Sequence, residues 1–108
     1  MLFCEIINSR LAQVKLMDQD NVVDEIEQII KEFRLDIAHK MTLATKKGSI
    51  HYHLRHGGNV GVLEITYWPQ KNRLWVEIHK NRRAPWNEEI ILAFSEKLAV
   101  CFDGTIQK

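Results

Sequence analysis

The stretch Gly48–His79, GSIHYHLRHGGNVGVLEITYWPQKNRLWVEIH, decides the fold. Apolar and polar residues alternate through three runs separated by turn residues, the period of a β-strand with one face buried. In the first run Ile50, Tyr52 and Leu54 alternate with Ser49, His51, His53 and Arg55. In the second, Leu63, Ile65 and Tyr67 alternate with Val62, Glu64, Thr66 and Trp68. In the third, Leu74, Val76 and Ile78 alternate with Trp75, Glu77 and His79. His56-Gly57-Gly58-Asn59 and Pro69-Gln70-Lys71-Asn72 supply the turns, where glycine accepts positive φ and proline closes a strand. The pattern predicts a three-stranded antiparallel meander over about 49–55, 60–68 and 73–79, with its aliphatic face turned toward helices.

The segments on either side supply those helices. Val22, Val23, Ile26, Ile29, Ile30 and Phe33 recur at helical spacing, which predicts a helix over about 22–34 with an acidic start and Lys31 and Arg34 near its end. A second helix is expected over about 87–102: Pro85 opens it, Glu88 and Glu89 lie in its first turn, and Asp103-Gly104 stops it. Residues 2–17 form an amphipathic element whose three- and four-residue spacing favours helix, although Leu2, Cys4 and Ile6 also alternate as a strand would. Residues 35–47 read as irregular or as a short strand. The expected fold is α+β, a two-layer sandwich in a single domain spanning 1–108.

Bulk properties narrow the function classes. A chain of 108 residues can bury a core without disulfides or structural metal. Its net charge of +1 sets up no global field for nucleic acid or an anionic membrane, so such binding would need a local patch. No apolar run approaches the length of a membrane span, no leader pattern opens the chain, and Cys4 and Cys101 are not closely spaced. A cytoplasmic location with reduced thiols and no membrane partner is the expectation. There is no phosphate loop, nucleophile elbow or Cys-x-x-Cys pair, and both cysteines fall on apolar stripes, so binding rather than catalysis is expected, with no cofactor.

The outward face of the meander is where binding is expected. Trp68 and Trp75 lie close together across the second hairpin, beside Val62, His51 and His53, and aromatic side chains of this kind typify interface cores. The leading expectation is self-association as a dimer, or contact with another protein, through this face. An alternative is a small-ligand or metal site. If Gly57-Gly58 and Lys71-Asn72 are two-residue turn tips, His51, Glu64 and His79 fall in one row across the strands, a ligand set with open positions. A four-residue second turn would instead set Glu77 opposite Glu64. A third reading places nucleic acid on the 80–83 basic run through Lys80, Arg82 and Arg83, with Trp86 nearby, but the acidic helix start that follows repels phosphate.

Overall fold

The computed structural model describes residues 2–15 and 18–108. Eight elements follow in chain order: β1 Leu2–Ile7, α1 Gln19–Glu32, β2 Asp36–Met41, β3 Ile50–Arg55, β4 Leu63–Trp68, β5 Arg73–Ile78, α2 Pro85–Cys101 and β6 Thr105–Gln107. The strands form a six-stranded antiparallel sheet in the order β2-β3-β4-β5-β1-β6. The chain is an α+β domain, and the three expected strands are the middle of a sheet twice as wide.

The alternation in β3, β4 and β5 sorts side chains as expected. Tyr52, Ile65, Val76 and Cys4 fall in one cross-strand row and Leu54 pairs with Leu63, all of them buried. Val22, Ile26, Ile29 and Ile30 of α1 and Ile91, Phe94 and Leu98 of α2 join them in one core, with the Phe33 ring 5.0 Å from that of Phe94. Each such side chain contributes roughly 1.5–3 kcal/mol by leaving water. Both helices begin earlier than their apolar stripes suggest. α1 starts at Gln19 because polar residues serve well in a first turn, and α2 starts at Pro85, whose missing N–H has no partner to lose there.

The N-terminal element departs from its expected helix. Leu2–Ile7 is a strand inserted between β5 and β6, with Cys4 opposite Val76 and Ile6 opposite Leu74. The open edge of a buried strand must find hydrogen-bond partners, and this demand outweighs a helical spacing that reaches across Asn8. Asn8 takes φ +55, and Leu11, which completed the helical stripe, lies in a separate short turn, Arg10–Gln13, capped by the Ser9 hydroxyl. Glu5 accepts two hydrogen bonds from Arg73, at 2.7 and 2.9 Å, which fastens β1 to β5. The last two residues of the expected 2–17 element lie outside the described residues. Within 35–47, the strand is β2, an edge strand exposed along its whole length. β6 was not expected; three residues leave too short a pattern to recognise.

Both hairpin registers differ from the two-residue turns considered above. The first connection runs from His56 to Val62, so His53 rather than His51 faces Glu64. The second is a single helical turn, Pro69–Lys71, ended by Asn72 at φ +53, and it sets Glu77 opposite Glu64. Proline at the start of that turn and an asparagine tolerant of left-handed backbone at its end favour the longer connection. Among the described residues, no helix is long and apolar enough to cross a membrane.

One polar contact ties α1 to the sheet. Glu27 accepts from Lys40 of β2 at 2.6 Å and from the Tyr52 hydroxyl of β3 at 2.7 Å. Burial acts to raise its pKa, but the Lys40 ammonium and the Tyr52 hydroxyl outweigh that and hold the carboxyl below its ordinary 4.5. Because the folded-state value lies below the unfolded one, the stabilisation is complete above that range and disappears as pH falls through the depressed value. Glu27→Gln is therefore expected to cost stability at pH ~7 and to narrow that difference at pH ~3, on the way to the range where the carboxylate is protonated in both states. Urea midpoints for the two proteins at both pH values check this; an equal difference at each would contradict it.

Candidate metal centre

On the face of the sheet away from the helices, β3 carries His51 and His53 two residues apart and therefore on the same side. The neighbouring strand presents Glu64 opposite His53 and Thr66 opposite His51. His79 follows the end of β5, and Arg82 sits in the short turn Lys80–Arg82 beyond it. This placement converges three imidazoles and one guanidinium on a single carboxylate.

Glu64 is the centre of the cluster, with its side chain 4 % exposed. Its Oε1 lies 3.0 Å from His51 Nε2 and 3.3 Å from His53 Nε2. Its Oε2 faces His79 Nε2 at 3.3 Å and Arg82 at 3.7 Å, yet among the described residues no donor is aligned to form a hydrogen bond with it. An orphaned buried acceptor of this kind calls for a partner, because an unmade bond there forfeits about 1–3 kcal/mol or more for a charged group. Burial drives the Glu64 carboxyl up, while the hydrogen bond from His51 and the nearby imidazoles draw it down further, leaving it below 4.5 and ionised at neutral pH.

His51 and His53 direct their Nε2 atoms at Oε1, where a cation would take the place of the proton shared with the carboxylate. His51 is buried, and its Nδ1 lies 2.7 Å from Thr66 Oγ1, which fixes the ring with Nε2 aimed at Glu64. Metal-binding histidines are oriented by such a contact at the second nitrogen. Burial depresses the His53 imidazole, and although Glu64 pulls it back up, His51, Arg82 and His39 add to the depression. The ring is therefore held toward its neutral form, the one that binds metal. One donor atom each from His51, His53 and Glu64 lies within 4.8 Å of the others. With metal–ligand bonds of about 2.0–2.1 Å, neighbouring ligands stand roughly 3.0–3.4 Å apart, and the two separations from Glu64 Oε1, 3.0 and 3.3 Å, fall in that range.

No protein-family model, curated protein or solved structure matches this chain. The chemistry rests on these side chains alone.

The converging set differs from the row His51, Glu64 and His79 considered from the sequence. His53 takes the place beside His51, because the longer first connection brings it opposite Glu64. His79 touches the other carboxylate oxygen and also lies 3.1 Å from Glu77 Oε1. Trp68 and Trp75 are on this face, as the alternation implied, but they are not equally available. Trp75 is 5 % exposed; it packs on Phe3 at 6.3 Å, lies under the Arg73 guanidinium at 4.5 Å and donates to Glu77. Trp68 is half-buried, donates to the Lys47 carbonyl and is flanked by Lys46 and Lys71. Val62 is half-buried at the mouth of β4, where its N–H donates to the Arg82 carbonyl. The basic run is divided: Arg83 pairs with Glu88 on α2, while Arg82 turns to Glu64.

One residue essential to this arrangement escaped the sequence reading. Asn87, fully buried in the first turn of α2, donates to the carbonyls of Val62 and Arg82 and accepts from the Ala84 N–H. The only hint in the sequence is an asparagine two positions after the proline that opens a helix, a place suited to returning a bond to the chain before it.

Proposed function

We propose that this protein binds a first-row divalent cation on the outer face of its sheet, through His51 Nε2, His53 Nε2 and Glu64. The observation that carries this reading is a buried, ionised carboxylate with both oxygens surrounded by imidazole nitrogens at ligand spacing, one ring already oriented by Thr66. Two imidazoles and one carboxylate suit zinc, iron(II), nickel or manganese better than calcium or magnesium, which prefer all-oxygen shells. Three protein ligands leave coordination positions open, so an ion held here can accept a further ligand. A cytoplasmic location belongs to the same proposal, in keeping with Cys4 and Cys101 as free thiols.

Calorimetric titration of chelator-treated protein with zinc, nickel and manganese tests the reading. At least one ion is expected to bind at a 1:1 ratio, and at about a hundredfold excess over its Kd it should stabilise the fold by ~2.7 kcal/mol. For a chain of this length that raises Tm by roughly 10 °C. Absence of heat with all three ions, and an unmoved Tm, would remove the proposal.

Association with a second copy or another protein is the alternative reading, and it is supported by a different feature from the tryptophan pair that first suggested it. β2 is an open sheet edge, and Ile37 and Met41 on it are 40 % and 38 % exposed.

A further inference from the structure

The cavity beside the cluster extends the metal reading, on which it partly rests. It has a volume of about 260 Å³ and is bounded by Ala38, His39, His53, Arg55, Val62 and Arg82. Two guanidinium groups and two imidazoles line it, and no carboxylate does. Arg10, Arg73 and Arg83 each have a carboxylate partner within hydrogen-bond range. The nearest acid to Arg82 is Glu64 at 3.7 Å, too far for a hydrogen bond, and Arg55 forms no ion pair among the described residues. Arg82 shares Glu64 with three imidazoles and Arg55 has no ion pair of its own among the described residues, so positive charge lining this small cavity outweighs the negative charge beside it and favours an anion.

We propose that this cavity binds a small oxyanion, a carboxylate or a tetrahedral oxyanion such as phosphate, held by Arg82, Arg55 and the Nδ1–H of His53, beside the cation on His51, His53 and Glu64 and coupled to it through the His53 ring. His53 gives the link between the two sites. Its Nδ1 lies 3.5 Å from the Arg82 guanidinium. A neutral imidazole carries one N–H, so a cation on Nε2 places that hydrogen on Nδ1, where it confronts the Arg82 donor. An oxygen atom between them satisfies both.

The local backbone fits this role. The β2–β3 register shifts between Ile37 and His39, making Ala38 the extra residue of a bulge, and the His39 ring then stands edge-on to His53 at 5.7 Å. Bulges re-aim side chains at sheet edges, and alanine leaves the opening clear. The volume sets the size class, since pockets for drug-sized ligands begin at about 300 Å³; a nucleotide is too large for this one.

Backbone amide spectra of ¹⁵N-labelled protein, titrated with sodium acetate and separately with sodium sulfate, test the proposal with and without one equivalent of zinc. Saturable shifts are expected at Ala38, His39, His53 and Arg82, present without zinc and at least about tenfold tighter with it. The anion that saturates at lower concentration identifies the class. Arg82→Gln and Arg55→Gln should each raise the half-saturating concentration about tenfold. Shifts that scatter over the surface without saturating, or arginine variants that titrate as the wild type does, would overturn it. If zinc fails to bind, the metal reading falls, while the zinc-free titration still decides the cavity.

Discussion

Glu64→Gln is expected to weaken zinc binding by at least about 100-fold, because loss of a direct ligand exceeds the 10- to 100-fold cost of losing a residue that only orients one. The substitution keeps the size of the side chain and removes its charge, so the sheet is retained while the cation loses its only anionic ligand at the centre. His51→Gln and His53→Gln are expected to fall in the same class, since both Nε2 atoms meet Oε1. His79→Gln is expected to cost less than about tenfold: its ring meets Oε2 from the half-exposed end of β5 and shares Glu77. Circular dichroism of the metal-free variants separates lost binding from lost fold. If His79→Gln proved as damaging as His51→Gln while His53→Gln bound normally, the ligand set would be the row first suggested by the sequence. An unchanged Kd in Glu64→Gln would eliminate the centre altogether.

That the ligand set shifted by one residue shows how far alternation can be followed. Period-two patterning fixes which side of a strand each residue faces, and every inward residue from Tyr52 to Ile78 in the three central strands is buried as the pattern implied. Which residues stand opposite one another depends on turn length, and the sequence about His56–Val62 is compatible with several. The metal candidates were therefore legible as a group of outward histidines around Glu64 but not as a geometry. β2 was legible only as an irregular stretch or a short strand, for another reason: all six of its residues are exposed, so no alternation of burial was imposed on its sequence. The position of β1 between β5 and β6 is a long-range pairing, which local pattern does not encode. The exposure of the two indoles was equally out of reach, because Phe3 covers Trp75 from a strand 72 positions away in sequence (75 minus 3).

Asn87→Ala is expected to destabilise the fold by about 3–5 kcal/mol, a large share of the roughly 5–15 kcal/mol that holds a domain together. The amide joins the start of α2 to both the entry of β4 and the turn carrying Arg82. Its Nδ2 donates at 3.1 Å to Val62 and 2.9 Å to Arg82, and its Oδ1 accepts at 3.0 Å from Ala84. Truncation to alanine leaves the Val62 carbonyl and the Ala84 N–H without these partners, each worth about 1–3 kcal/mol when buried, and takes from the Arg82 carbonyl one of two donors, the Val62 N–H remaining. Close packing limits how far the chain can adjust. Gly61 passes so near that a Cβ there would stand 2.6 Å from Ala84 Cβ and 3.1 Å from Asn87 Nδ2, and its φ of +98 suits only glycine. Asn87→Asp is expected to be worse than alanine, since it keeps the acceptor, loses both donors and buries a charge against two carbonyl oxygens. Urea unfolding measures both. Since the turn bearing Arg82 hangs from this amide, the alanine variant should also bind acetate or sulfate more weakly under conditions where it remains folded. A loss below about 1 kcal/mol would mean that water replaces the amide and that the turn holds its place by other means.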